Sequence, residues 1–193
     1  GMYGGLIQLW SGPWIRDVAG LSGGATANVL FLAAGAMVLS GIATGPLSGL
    51  TRRLGLPIMG FAVLASSAFT IIVFLMAMPW VAGPLAAYLL WGVFGIVAPL
   101  TMVMYAALGP EFPKELNGRL NACLTLSWLL GAFLVQNIYG FVLDRFPNTE
   151  TGYAPEGHRL AMGINFGILV VTLAWYFVFG AIIRRWAKIK TRP

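Results

Sequence analysis

Between Arg53 and Glu111 the chain carries no charged side chain. Charge-free runs also extend from Val18 to Thr51, from Leu120 to Leu143 and from Leu160 to Ile183. About 20 apolar residues in helical form cover the roughly 30 Å of bilayer hydrocarbon. Each run can therefore cross a membrane, and the longest can cross twice. A membrane β-barrel would need alternating segments of about ten residues, whereas these runs are continuous and far longer. The expected fold is an all-α membrane protein: a six-transmembrane-helix bundle whose first helix is truncated.

Composition agrees. Mean hydropathy is +0.83, with 59% hydrophobic and 9% charged residues, which excludes an ordinary water-soluble domain. Six helices and short loops use up the 193 residues, leaving no room for a soluble domain. The net charge of +6 does not point to nucleic acid, because the basic residues cluster at span ends. The lone Cys123 cannot form an internal disulfide and lies within an apolar run.

The first apolar stretch, 2–14, is too short to cross and reads as the second half of a helix. Gly1 ahead of Met2 reads as a remnant of tag removal, and the chain as a fragment. No basic region or small-residue cleavage pattern marks a signal peptide. Gly12 and Pro13 are expected to end this helix and leave Arg16 and Asp17 in a loop. The remaining spans fall at about 25–49, 57–78, 84–108, 119–144 and 159–183, with Thr51-Arg52-Arg53 as a tight basic turn and a basic tail at 184–193. Together they make a single bundle over residues 1–193.

Basic residues then set the orientation. Arg52, Arg53, Lys114, Arg119, Arg184, Arg185, Lys188, Lys190 and Arg192 fall at one end of the bundle; Arg16, Arg145 and Arg159 fall at the other. Loops alternate between the ends without conflict. The positive-inside rule makes the richer end, with the C-terminus, cytoplasmic.

Within the spans, Gly41, Gly45 and Gly49 recur every fourth residue, and Gly163 and Gly167 repeat the spacing. Bare backbone along a helix face favours close helix packing, and a rocking or gating contact is the sharper alternative. Pro99 sits mid-span after Gly92 and Gly95. It implies either a static kink or a discontinuous helix at a substrate site. Uncharged polar and aromatic side chains complete the candidates: Gln8, Asn28, Trp91, Tyr105, Asn121, Thr125, Trp128, Gln136 and Asn137. Helix bridging is the plain reading for any one of them, Asn121 and Asn137 above all. Gln8, Asn28, Trp91, Trp128 and Gln136 are the substrate-cavity candidates. Trp10, Trp14, Trp80 and Trp186 near span ends are expected to be interfacial anchors.

No ionisable residue is expected deep in a span, and Asp144 at a span end comes nearest. His158, the only histidine, is placed in a loop at the surface. The sequence offers no metal-ligand cluster, no cofactor motif and no acid–base pair in apposition. An enzyme is not expected.

Several stretches resemble the C-terminal half of a major facilitator superfamily transporter. Leu9-Trp10-Ser11-Gly12-Pro13-Trp14-Ile15-Arg16-Asp17-Val18-Ala19-Gly20 looks like the end of the family's seventh helix. Gly45-Pro46-Leu47-Ser48-Gly49-Leu50-Thr51-Arg52-Arg53 resembles its signature loop between helices eight and nine. Only Gly45 and the Arg52-Arg53 pair match; Gly49 and Leu50 stand where the family has an acidic and a basic residue. Glu111 to Arg119, Gly131 to Gln136 and Gly152 to Gly157 resemble the link before helix eleven, that helix itself and the loop before helix twelve. The resemblance implies one of two bundles that rock about a central site. It places the first, second, fourth and fifth helices at the cavity, and spans 57–78 and 159–183 against lipid. It also implies a small-molecule solute and a missing N-terminal half as partners, besides the lipid bilayer. A self-contained half-size transporter or channel, working as a dimer, is the alternative.

Overall fold

The computed structural model of the chain describes residues 1–149 and 152–190, with side chains described as far as residue 180 except at Glu111. Among the described residues the only regular structure is helical. Five helices are long and apolar enough to cross a membrane. The chain is an integral membrane protein by that criterion, since a run of this length and hydropathy has its backbone satisfied internally and its side chains matched to lipid.

The first rod is continuous but uneven. It consists of α1 (Met2–Gly5), a π-helical turn (Leu6–Trp10) and α2 (Ser11–Asp17). Pro13 does not end it, contrary to the sequence expectation. In a regular helix the Pro13 ring would meet the Leu9 carbonyl and deny it a donor; the wider turn just before relieves that conflict. Arg16 and Asp17 are thereby carried in the last helical turn rather than in a loop.

Helix α3 (Gly23–Arg53) is longer than expected. Thr51, Arg52 and Arg53 form its final turn, and the reversal follows at Leu54–Leu56. Gly55 adopts φ +83°, with Gly55 N–H donating to the Arg52 carbonyl and Leu56 N–H to that of Thr51. This is the Schellman arrangement, which needs a left-handed residue after the helix.

Helix α4 (Ile58–Ala77) leads to α5 (Pro84–Leu100), which opens with proline at its first turn, where a missing N–H costs nothing. The fourth span is interrupted, and α6 (Val103–Leu108) completes it. Two 3₁₀ turns, Gly109–Glu111 and Lys114–Leu116, join it to α7 (Asn117–Leu143). Helix α8 runs Pro155–Lys190, beginning earlier than expected and absorbing most of the stretch read as a tail. The side chains of Arg184, Arg185, Trp186, Lys188 and Lys190, and the whole of Glu150 and Arg192, lie outside the described residues.

Parallel neighbours organise the bundle. Helix α3 lies along α5, with Leu32 at Gly92 and Ala33 and Ala36 at Gly95. The first rod lies along α7, with Gly5 at Ala132 and Val135 and Trp10 at Gly140. Helix α4 packs against both α5 and α8. The core between them is aromatic: Trp14, Trp91, Phe94 and Tyr139 are fully buried, with Trp14 edge-on to Trp91 at 6.0 Å and Phe69 tilted on Phe94 at 5.2 Å.

Close packing falls on glycines other than those singled out by spacing. Gly41, Gly45, Gly49, Gly163 and Gly167 face open space within this chain. A Cβ at Gly95 would instead collide with the Ala33 carbonyl oxygen and come within 3.0 Å of Ala36 Cβ. One at Gly4 would come within 2.6 Å of Trp128. Beside Gly95, the Ser40 hydroxyl donates to the Ile96 carbonyl across the α3–α5 contact. Small residues make both contacts possible by letting the backbones approach.

Candidate functional site

Two places gather chemistry: a buried cluster at one end of the bundle and a cleft at the other side of the aromatic core.

The cluster begins with Asp17 at the end of the first rod. Its side chain is 1% exposed. Oδ1 accepts from Arg16 Nε at 2.8 Å, and Oδ2 accepts from Tyr153 N–H at 3.0 Å and from His158 Nε2 at 3.1 Å. His158 is fully buried in the first turn of α8, not exposed in a loop. Its Nδ1 lies 3.0 Å from the hydroxyl of Tyr139, which is itself fully buried on α7. The tautomer follows from the partners. A carboxylate only accepts, so Nε2 carries the hydrogen, and a neutral ring then accepts the Tyr139 hydroxyl proton at Nδ1.

Neighbours fix this geometry. Trp10 stacks on Tyr139 with ring centroids 4.9 Å apart, and its Nε1 donates to the Gln136 carbonyl at 3.2 Å. Gly152 brings the chain over Asp17 so closely that a Cβ there would strike Oδ1 and come within 2.8 Å of Arg16 Nη2. The adjoining turn is closed by Thr149 N–H donating to the Gly152 carbonyl at 2.8 Å and by Gly152 N–H donating to Thr149 Oγ1. Trp10 and Trp14 thus belong to the core and not to the lipid interface. Of the three expected anchors whose side chains are described, Trp80 is the exposed one, at 74%.

An acid–base pair in apposition therefore exists, which the sequence reading denied. Asp17 is the buried acid; Asp144, the expected nearest approach, is exposed. The only sequence signal was His158 lying a few residues past a proline that can open a helix. The Tyr139 hydroxyl has no exposure, so the pair cannot present it to a substrate as a nucleophile.

The cleft lies among α1, α4, α6, α7 and α8 and has a volume of about 450 Å³. Such a size suits a small-molecule ligand. Tyr3, Phe69, Tyr105 and Trp128 give it aromatic walls, with Met102 and Met104 between them. Every lining side chain is uncharged. Ser66, Thr101, Ser127 and Thr172 also line it, and each hydroxyl hydrogen is spent on a carbonyl of its own helix. The oxygens remain free to accept. Trp128 Nε1 is a buried donor without a partner.

The break in the fourth span borders this cleft. Thr101 Oγ1 donates to the Ala98 carbonyl at 2.7 Å, and Thr101 N–H reaches the same oxygen at 3.2 Å. That carbonyl would otherwise receive Met102 N–H. Met102 N–H turns instead to the Pro99 carbonyl at 2.9 Å, and regular bonding lapses for a turn. The Thr101 side chain competes with the backbone for that carbonyl, two residues after Pro99. After Pro99 the bonding thus tightens to a 3₁₀ turn within a span that continues from Pro84 to Leu108.

No family model, curated protein or solved structure matches this chain.

The five cavity candidates are not brought together. Trp128 is half-buried in the cleft wall. Gln8 is exposed and lines a separate cleft of about 350 Å³ with Pro13, Leu30 and Met37. Asn28 is exposed on α3. Trp91 is fully buried in the core beside Trp14. Gln136 is half-buried and contributes its main-chain carbonyl. Tyr105 proves to be a cleft residue, whereas Asn121 and Thr125 are exposed. Asn137 does not bridge helices; its Nδ2 bonds the Phe133 carbonyl one turn back.

Proposed function

We propose that this bundle is one half of a secondary active transporter that moves a small solute by alternating access. The observation that carries the reading is the interrupted fourth span, where Thr101 and Met102 border a cleft of about 450 Å³ whose side chains are all uncharged. Discontinuous helices at a solute site are a recurring device in such transporters, because irregular backbone is tolerated where it lines a cavity. The donors and acceptors of the cleft suit a neutral polar or aromatic solute. Resemblance of the loops to those of the major facilitator superfamily supports the same reading, as does the excess of basic residues at one end. We take that end, with the C-terminus, as cytoplasmic, in a bacterial inner membrane.

The open face along Gly41, Gly45 and Gly49 supports a second bundle packed there. That bundle is either an N-terminal half or, in the alternative reading, a second copy of this chain acting as a half-size transporter or channel. A cysteine at Gly45, with Cys123 replaced by serine, separates them: a crosslink between identical chains favours the copy.

Reconstitution of the gene's full product in proteoliposomes tests the transport reading. Saturable movement of at least one member of a panel of neutral solutes is expected, and Met102→Trp should abolish it by filling the cleft. A folded protein that moves none of them, or moves them equally well with Trp at 102, would defeat the proposal.

A further inference from the structure

The buried cluster has a charge balance that responds to one proton. Arg16 offsets the Asp17 carboxylate at 2.8 Å, and His158 is neutral in the hydrogen-bond pattern described. The charged and titratable groups facing the imidazole are Asp17 and Arg16 from the first rod, Tyr139 from α7 and Tyr153 from the preceding loop. On α8 itself Glu156 is exposed and points no bond at the ring, while Arg159 is the adjacent cation. Among the described residues no other carboxylate contacts the ring.

We propose that Asp17, His158 and Tyr139 form a proton-operated latch that holds the end of the first rod against the segment leading into α8. Protonation at Nδ1 reverses the bond to Tyr139. The hydroxyl must then accept, and its own hydrogen is left without an acceptor in a site closed by the Trp10 ring. An unpaired buried donor destabilises the arrangement. The added positive charge must also be buried, and it shares its only counter-ion, Asp17, with Arg16. Both effects favour release of the contact between Asp17 and residues 152–158. The latch therefore opens on acidification. It is a property of the bundle and stands independently of the transport reading.

His158 is the only histidine in the chain, so ¹⁵N-imidazole NMR of the protein in lipid nanodiscs reports on it alone. At pH 8 the signal of the Nε2–H tautomer with bare Nδ1 is expected. Between pH 8 and 5 the ring should take up a proton while the Tyr153 amide, which donates to Asp17, loses at least tenfold of its exchange protection after correction for intrinsic rates. His158→Gln offers an amide donor to Asp17 but cannot titrate, and Tyr153 should stay protected throughout. The proposal is overturned if Tyr153 exchange ignores the protonation of His158, or if His158→Gln shows the same acid-induced loss. Should that variant fail to fold, the wild-type protein decides alone: the two midpoints must coincide, and separated midpoints overturn the latch.

Discussion

Asp17 and His158 lie 141 positions apart in sequence and share a 3.1 Å hydrogen bond in the bundle. The bond ties the first rod to the last helix, and it puts their two loops at the same end, as alternate crossing requires.

Replacing the acid should therefore loosen that end. Asp17→Ala leaves Tyr153 N–H and the His158 ring N–H without an acceptor, at about 1–3 kcal/mol for each buried donor. Asp17→Asn keeps one acceptor oxygen and should lose less. Thermal unfolding in detergent, followed by tryptophan fluorescence, should rank wild type above Asn and Asn above Ala. Equal midpoints would mean that the cluster holds nothing together.

Glycine substitutions should divide by contact and not by spacing. Gly95→Leu drives a side chain into Ala33 and Ala36, and overpacking of this kind costs about 1–3 kcal/mol or more. Gly45→Leu meets open space in this chain and should leave bundle stability unchanged, while blocking any second bundle that packs there. Monodispersity and melting of the two variants check the contrast; a destabilised Gly45→Leu bundle would contradict it.

Thr101 should control the break in the fourth span. Thr101→Ala frees the Ala98 carbonyl for Met102 N–H and restores a regular turn. Met102 N–H then exchanges its 3₁₀ bond to Pro99 for a better-aligned α-helical one, and its amide exchange should slow. Unaltered exchange at Met102 would show that Pro99 alone imposes the interruption.

Trp10 is expected to matter more than Gln136. Trp10→Phe keeps a ring on Tyr139 but loses the indole donor to the Gln136 carbonyl, at a cost of about 1 kcal/mol. Gln136→Ala retains that main-chain acceptor and should melt like the wild type. The reverse order would place the Gln136 side chain, not its backbone, at the contact.

Trp91 and Trp128 illustrate how little sequence spacing says about surroundings. Both sit in apolar runs and both were candidate cavity residues. One is sealed in the core against Trp14, the other lines a cleft beside Tyr3. Hydrophobic periodicity cannot separate them, because lipid, core and cavity wall are all apolar. Glycines behave alike: Gly45 and Gly95 each sit in a small-residue pattern, and only the neighbour decides which one packs.

The chain alone determined that long apolar helices thread a membrane and where charge interrupts them. Moving charge into hydrocarbon costs so much that the positions of Arg52, Lys114 or Arg145 bound the spans before any folding is considered. Tertiary structure decided which polar groups meet. His158 stands next to charged Arg159 and near Glu156, a local context that reads as surface. Its burial depends on Asp17 and Tyr139, which reach it from distant segments and satisfy both ring nitrogens. That satisfaction exists only once the helices have packed.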